Sequence, residues 1–124
     1  MVHVIDDITV GIVIPGDCSA ARLRAIELHL AAVRARCLVV DMGRGPAAPP
    51  ELARKVAGLI DRARRRGFSI AIVSPGADVV RAIVAAGASR DVELVPTVDE
   101  ALARVRGRLT PARTIRVLQD RRAA

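Results

Sequence analysis

Residues 37–55 read CLVVDMGRGPAAPPELARK, and this stretch decides the fold class. Residues 37–40 are an unbroken apolar run of strand length, and Gly and Pro then punctuate the chain as far as Pro50. From Leu52 the apolar positions Leu52, Val56, Leu59, Ile60 and Ala63 recur on one helical face. Strand, loop and helix in that order are the repeating unit of an α/β domain, whose function concentrates in loops at the carboxyl ends of the strands. Between Asp41 and Lys55 there is no Ser, Thr, His or Cys. The segment therefore lacks a hydroxyl or thiol nucleophile, a phosphoacceptor and a neutral proton shuttle. It reads as a docking surface.

Upstream, residues 3–5 and 8–15 read as two strands separated by an Asp6-Asp7 turn, an antiparallel hairpin. Gly16 and Asp17 form a turn, and Ser19 is the N-cap of a helix carrying Leu23, Ile26, Leu30 and Val33 on one face and ending near Arg36. Downstream, the helix over 50–66 places Pro50 and Glu51 in its first turn and Arg62, Arg64, Arg65 and Arg66 in its last, both in favour of the macrodipole. Gly67 closes it, and residues 68–73 form the next buried strand. Ser74, Pro75 and Gly76 turn into a helix over 78–86, and residues 92–95 make a short last strand. Thr97, with Glu100 three positions later, opens a helix carrying Val98, Ala101, Leu102 and Val105. The expected fold is α/β, a mixed β-sheet with helices in the order ββαβαβαβα and its later strands parallel. The domain is expected over 1–106. A basic tail follows over 107–124, either disordered or a short helix started by Thr110-Pro111.

At 124 residues and 52% hydrophobic content, the chain suits one core. No apolar run approaches the roughly 18 to 20 residues of a membrane span, and MVHVIDD lacks the basic start of a signal peptide. A soluble cytoplasmic protein is the expectation. Of the net charge of +7, the tail supplies +4 through Arg108, Arg113, Arg116, Arg121 and Arg122 against Asp120, so the body is only mildly basic. Phe68 is the only aromatic residue, which leaves no platform on which bases could stack, and nucleic acid is not an expected partner. Helix electrostatics and solvation account for the Arg62–Arg66 cluster, with a patch for an acidic partner as the alternative.

Cys18 and Cys37 have neither metal nor redox-motif spacing and read as reduced packed thiols, with a redox role for Cys18 near a helix N-terminus as the alternative. His3 and His29 read as incidental surface residues. Residues 43–48, GRGPAA, fit the outline of a dinucleotide fingerprint, but Pro46, Pro49 and Pro50 remove the amide donors that a pyrophosphate needs. The Gly11 and Gly16 spacing of a P-loop lacks the following Lys-Ser/Thr. No cofactor, metal or catalytic set is expected.

The ordered set of Gly16 after an apolar strand, LVVDM ending the next, the ARRRG of 63–67, IAIVSPGADVVRAIVAAG and VELVPTVDEALARV resembles a STAS domain. STAS domains occur in bacterial anti-sigma factor antagonists, sulfate transporters and stressosome proteins. The likeness runs from about Val4 to Val105. In the antagonists an Asp-Ser-Ser-Gly sequence at the start of the second helix carries the serine that a kinase-type anti-sigma factor phosphorylates. Here Pro49, Pro50, Glu51 and Leu52 fall on those positions, and the family's Asp in a Gly-x-x-Asp turn falls on Ser19, with Asp17 nearby.

The resemblance implies a non-enzymatic, cytoplasmic interaction domain that regulates transcription by partner switching without serine phosphorylation at the usual place. Its partner would be an anti-sigma factor or related kinase-like protein. The implied partner-binding residues are Asp17, Ser19, Gly43, Arg44, Pro49, Pro50, Glu51, Arg54 and Lys55. The alternative is a regulatory subunit of a membrane transporter or lipid-transport ATPase, and a homodimer is compatible with either. Glu51 reads as a complement to the helix dipole, or as a fixed charge imitating phosphoserine.

Overall fold

The computed structural model describes residues 2–109. Strand β1 (Val2–Val4) precedes an alternating body: β2 (Thr9–Val13), α1 (Ala20–Ala32), β3 (Cys37–Asp41), α2 (Pro50–Arg65), β4 (Ser69–Val73), α3 (Ala77–Ala85), β5 (Val92–Val95) and α4 (Val98–Leu109). A 3-10 turn, Ser89–Asp91, leads into β5. The five strands lie in chain order across one sheet. β2 to β5 are parallel, and β1 pairs antiparallel with β2, Val2 opposite Ile12 and Val4 opposite Val10.

The mixed α/β class is as expected. The repeating body, however, is βαβαβαβα, with β1 standing outside it as a three-residue edge strand. The hairpin is shorter than residues 3–5 and 8–15 suggested. The Ile5 and Asp6 amides turn back to the Thr9 carbonyl, and beyond Val13 the Ile14 amide bonds the Asp41 carbonyl at 3.0 Å, outside the β2 strand range.

Crossovers that step in one direction along a parallel sheet keep one hand, so their helices fall on one face. α1, α2 and α3 accordingly cover one side of the sheet, over Val10, Ile12, Leu38, Val40, Ile70 and Ile72. α4 is not a crossover, and it covers the other side, over Cys37, Val39, Ala71, Val73 and Val95. Small residues on that side let α4 come close: Ser69 Oγ donates to the Val105 carbonyl at 2.9 Å, and Cys37 Sγ reaches the same oxygen at 3.8 Å. Burial on both faces explains why β3 and β4 read as continuous apolar runs.

Local signals act where they were placed. Ser19 Oγ accepts the Arg22 amide at 3.1 Å and Thr97 Oγ1 accepts the Glu100 amide at 3.2 Å. Gly67, at φ +94°, ends α2 with the Phe68 amide returned to the Ala63 carbonyl. α1 is shorter than expected and stops at Ala32. Val33 is already extended, and the Arg36 and Cys37 amides are bonded to the Ile8 carbonyl, so the sheet claims the chain before β3 begins. The anticipated tail boundary at 107 falls inside α4. The remaining tail, 110–124, lies outside the described residues, as does the helix-or-disorder expectation for it. Among the described residues no helix is long and apolar enough to cross a membrane.

Candidate docking site at the carboxyl end of the sheet

Parallel strands deliver their following loops to one end, and the expected contact residues lie there or in the first turns of α2. Asp17 and Ser19 lie between β2 and α1, Gly43 and Arg44 between β3 and α2, and Pro49 as the N-cap of α2. Pro50, Glu51, Arg54 and Lys55 occupy its first turns. Two of the loops interlock. At Gly16 a Cβ would overlap the Pro46 carbonyl oxygen and come within 2.6 Å of the Ala47 carbonyl carbon, so only glycine permits this approach.

Asp41 organises the β3–α2 loop from its base. Its Oδ1 accepts the Gly43 amide at 2.9 Å and its Oδ2 holds Arg44 Nε at 3.2 Å. Arg44 is still 73% exposed on its side chain, so it presents charge from a tethered position. Met42 and Ala48 turn inward to the core while Gly43, Arg44, Gly45, Pro46 and Ala47 stay exposed. α2 then begins on Pro49 without a side-chain cap. Glu51 forms an ion pair with Lys55 at 3.6 Å across one turn while remaining 75% exposed. Lys55 thus partly offsets the charge that a phosphoserine-like role for Glu51 would require.

Five of the expected residues, Gly43, Pro49, Glu51, Arg54 and Lys55, line three depressions, and Asp17, Ser19, Arg44 and Pro50 line none of these. Cys18 and Ala20, either side of Ser19, share a hollow of about 250 Å³ with Pro49, Glu51 and Lys55. Gly43 lies in another of about 270 Å³, between the β3–α2 loop and Ser74, Gly76 and Val79. Arg54 faces a larger groove of about 560 Å³ between α1 and α2. Asp17 is exposed in the turn closed by the Cys18 amide on the Pro15 carbonyl.

Residues that the sequence did not single out also belong here. Ser74 has φ +51°, an uncommon conformation for a residue with a side chain, and its hydroxyl bonds the Pro96 carbonyl at 3.3 Å. It lies beneath Gly43, where a Cβ would stand only 3.1 Å from the Ser74 Cβ. Its signal was the Ser-Pro-Gly turn, which reports a bend and not a neighbour. Arg24 and Glu27 of α1 line the groove opposite α2, and no local motif marks them.

The Arg cluster is engaged with the fold. Arg62 makes a bidentate pair with Glu27, one arm at 2.8 Å. Arg64 bonds Asp61 at 2.7 Å and Asp91 at 3.1 Å, and Arg65 reaches Asp61 at 3.1 Å. Arg66 stacks over Phe68, 5.8 Å from the ring centroid. The hydrogen bond from Arg62 holds the Glu27 carboxyl below its ordinary range, and that from Arg64 does the same for Asp61. Both cysteines are buried and free, and burial pushes the Cys37 thiol up. His29 is exposed on α1, and the His3 side chain lies outside the described residues. Among the described residues no group of three or more His, Cys, Asp or Glu is disposed to hold a metal ion.

The chain matches no protein-family model and no curated protein. Among solved structures it is similar to the NMR structure of the protein TM1081, with a TM-score of 0.61 and 15% sequence identity over 85% of this chain and 86% of that one. A likeness at this identity speaks to the fold alone.

Proposed function

We propose that this chain is a STAS-like, non-enzymatic interaction domain of the anti-sigma factor antagonist type. It binds an anti-sigma factor or related kinase-like protein through the carboxyl-end surface described above. The observation that carries this reading is the β3–α2 segment: an exposed loop, tethered by Asp41 and wedged against Gly16, that offers charge and shape without a nucleophile. Prolines 46, 49 and 50 restrict the loop before a partner arrives, which lowers the ordering cost of association. Pro49, Pro50, Glu51 and Leu52 carry no hydroxyl, so regulation by serine phosphorylation at that place is not part of the proposal.

The test is affinity capture from a native-type lysate with wild type and with the double variant Arg44→Glu/Glu51→Arg, followed by mass spectrometry. The expected result is an anti-sigma-factor-like ATPase recovered with wild type and lost with the variant. Arg44→Glu sets a carboxylate against Asp41 and Glu51→Arg sets a cation against Lys55, so both ion pairs become like-charged at once. Recovery of transporter subunits instead would move the assignment to a transporter regulatory subunit. Equal recovery with both proteins would remove the role given to this loop.

A further inference from the structure

We infer that the groove between α1 and α2 receives an acidic, amphipathic helical segment of a protein partner. The inference rests on the docking reading above and adds to it a second wall and a partner chemistry.

The groove exists because little side-chain volume fills it. Gly58 stands in the interior of α2, where glycine costs about 1 kcal/mol relative to alanine, and Ala20 stands opposite on α1. A Cβ at Gly58 would meet Arg62 Nη1 at 3.2 Å, so the glycine leaves room for the guanidinium that crosses to Glu27. That crossing pair closes one end of the groove. The other end opens beside Glu51 and Lys55 at the start of α2.

The charge balance is specific. Glu27 is neutralised by Arg62 and Glu51 by Lys55. Arg24 on α1 and Arg54 on α2 are exposed, and neither makes an ion pair or side-chain hydrogen bond among the described residues. Two uncommitted cations therefore face one groove from opposite walls. Leu23, 5% exposed, forms the apolar floor between them, with only the small residues Ala20 and Gly58 beside it. An occupant with carboxylates on its flanks and an apolar stripe between them satisfies both features.

A nucleic acid suits the groove less well. Phe68, the only Phe, Tyr or Trp of the chain, is buried, so the groove offers bases no ring on which to stack. A helix suits it better than an extended strand, because the walls are helices of 13 and 16 residues, about 20 and 24 Å long, and no sheet edge borders it among the described residues.

The experiment titrates the ¹⁵N-labelled full-length chain with a three-heptad helical peptide of Glu, Ala and Leu. Its Lys-for-Glu counterpart and a single-stranded oligonucleotide are titrated in parallel. The expected result is amide shifts clustered at Ala20, Leu23, Arg24, Arg54 and Gly58 with the acidic peptide only. Arg24→Glu/Arg54→Glu, both on the surface, should weaken that binding at least tenfold, leave the melting temperature unchanged and bind the Lys peptide instead. Equal binding of both peptides, shifts away from the groove, or tighter binding of the oligonucleotide there would overturn the inference. The capture experiment separates it from the functional proposal. A partner lost with Arg44→Glu/Glu51→Arg but retained with Arg24→Glu, a groove residue outside the expected contact set, would sink the groove and leave the docking reading. Groove binding in a chain that captures no anti-sigma-type protein would do the reverse.

Discussion

At the scale of single residues, Gly16 is where one methyl group matters most. Gly16→Ala drives a Cβ into the Pro46 carbonyl, so the β2–α1 and β3–α2 loops must separate. Overpacking of this kind costs about 1–3 kcal/mol, and the expected outcome is a lower midpoint in urea together with loss of partner capture. An unchanged midpoint would mean that the loops are not interlocked. At Ser74 the residue's φ of +51° makes a β-branched replacement costly: Ser74→Val should lose about 2 kcal/mol, whereas Ser74→Gly should lose less, as read by thermal denaturation. Cys37, buried with its thiol pushed up, should resist alkylation until the chain unfolds, and labelling at the rate of an exposed thiol would refute that placement. Gly16 was legible as a turn residue. Its contact with Pro46, far along the chain, was not, because a turn signal describes only its own backbone.

Among the elements, α1 and α2 differ in how much their patterns reveal. α2 has a clear buried stripe, Leu52, Val56, Leu59, Ile60 and Ala63, with charges opposite, and the sequence placed it to within a residue. α1 buries Leu23, Ile26 and Leu30 yet exposes Leu28 and several alanines, so its outer face is marked only weakly. The two helices are coupled by Arg62 and Glu27. In the fold the hydrogen bond from Arg62 holds the Glu27 carboxyl below the value it has in the unfolded chain. Its contribution is therefore present above the unfolded value and is lost as pH falls through the folded one. Glu27→Gln should cost about 0.2–1 kcal/mol at pH 7, the range of an exposed pair, and the gap from wild type should close in urea titrations as the pH is taken below the folded value. A gap of equal size at neutral and acid pH would show that the pair contributes no charge-dependent stability.

For the whole molecule, the sheet sets a hierarchy of protection. β3 and β4 are paired on both sides and covered on both faces, while β1 has three residues and one neighbour. Hydrogen exchange should be slowest for the amides of Val39, Val40, Ala71 and Ile72 and fastest among the strands in β1. Exchange from β1 as slow as that from β3 would contradict this order. By itself the sequence determined the alternation of strands and helices, the caps at Ser19 and Thr97, the close at Gly67 and a β3–α2 loop without a nucleophile. Each of these depends on hydrogen bonds and apolar periods spanning only a few residues. Only the tertiary structure decided that α4 covers the opposite face, that Pro46 presses on Gly16, that Arg62 is committed to Glu27, and that Arg24 and Arg54 face one groove. Those outcomes depend on distances between segments far apart in the chain, which packing sets and no local pattern encodes.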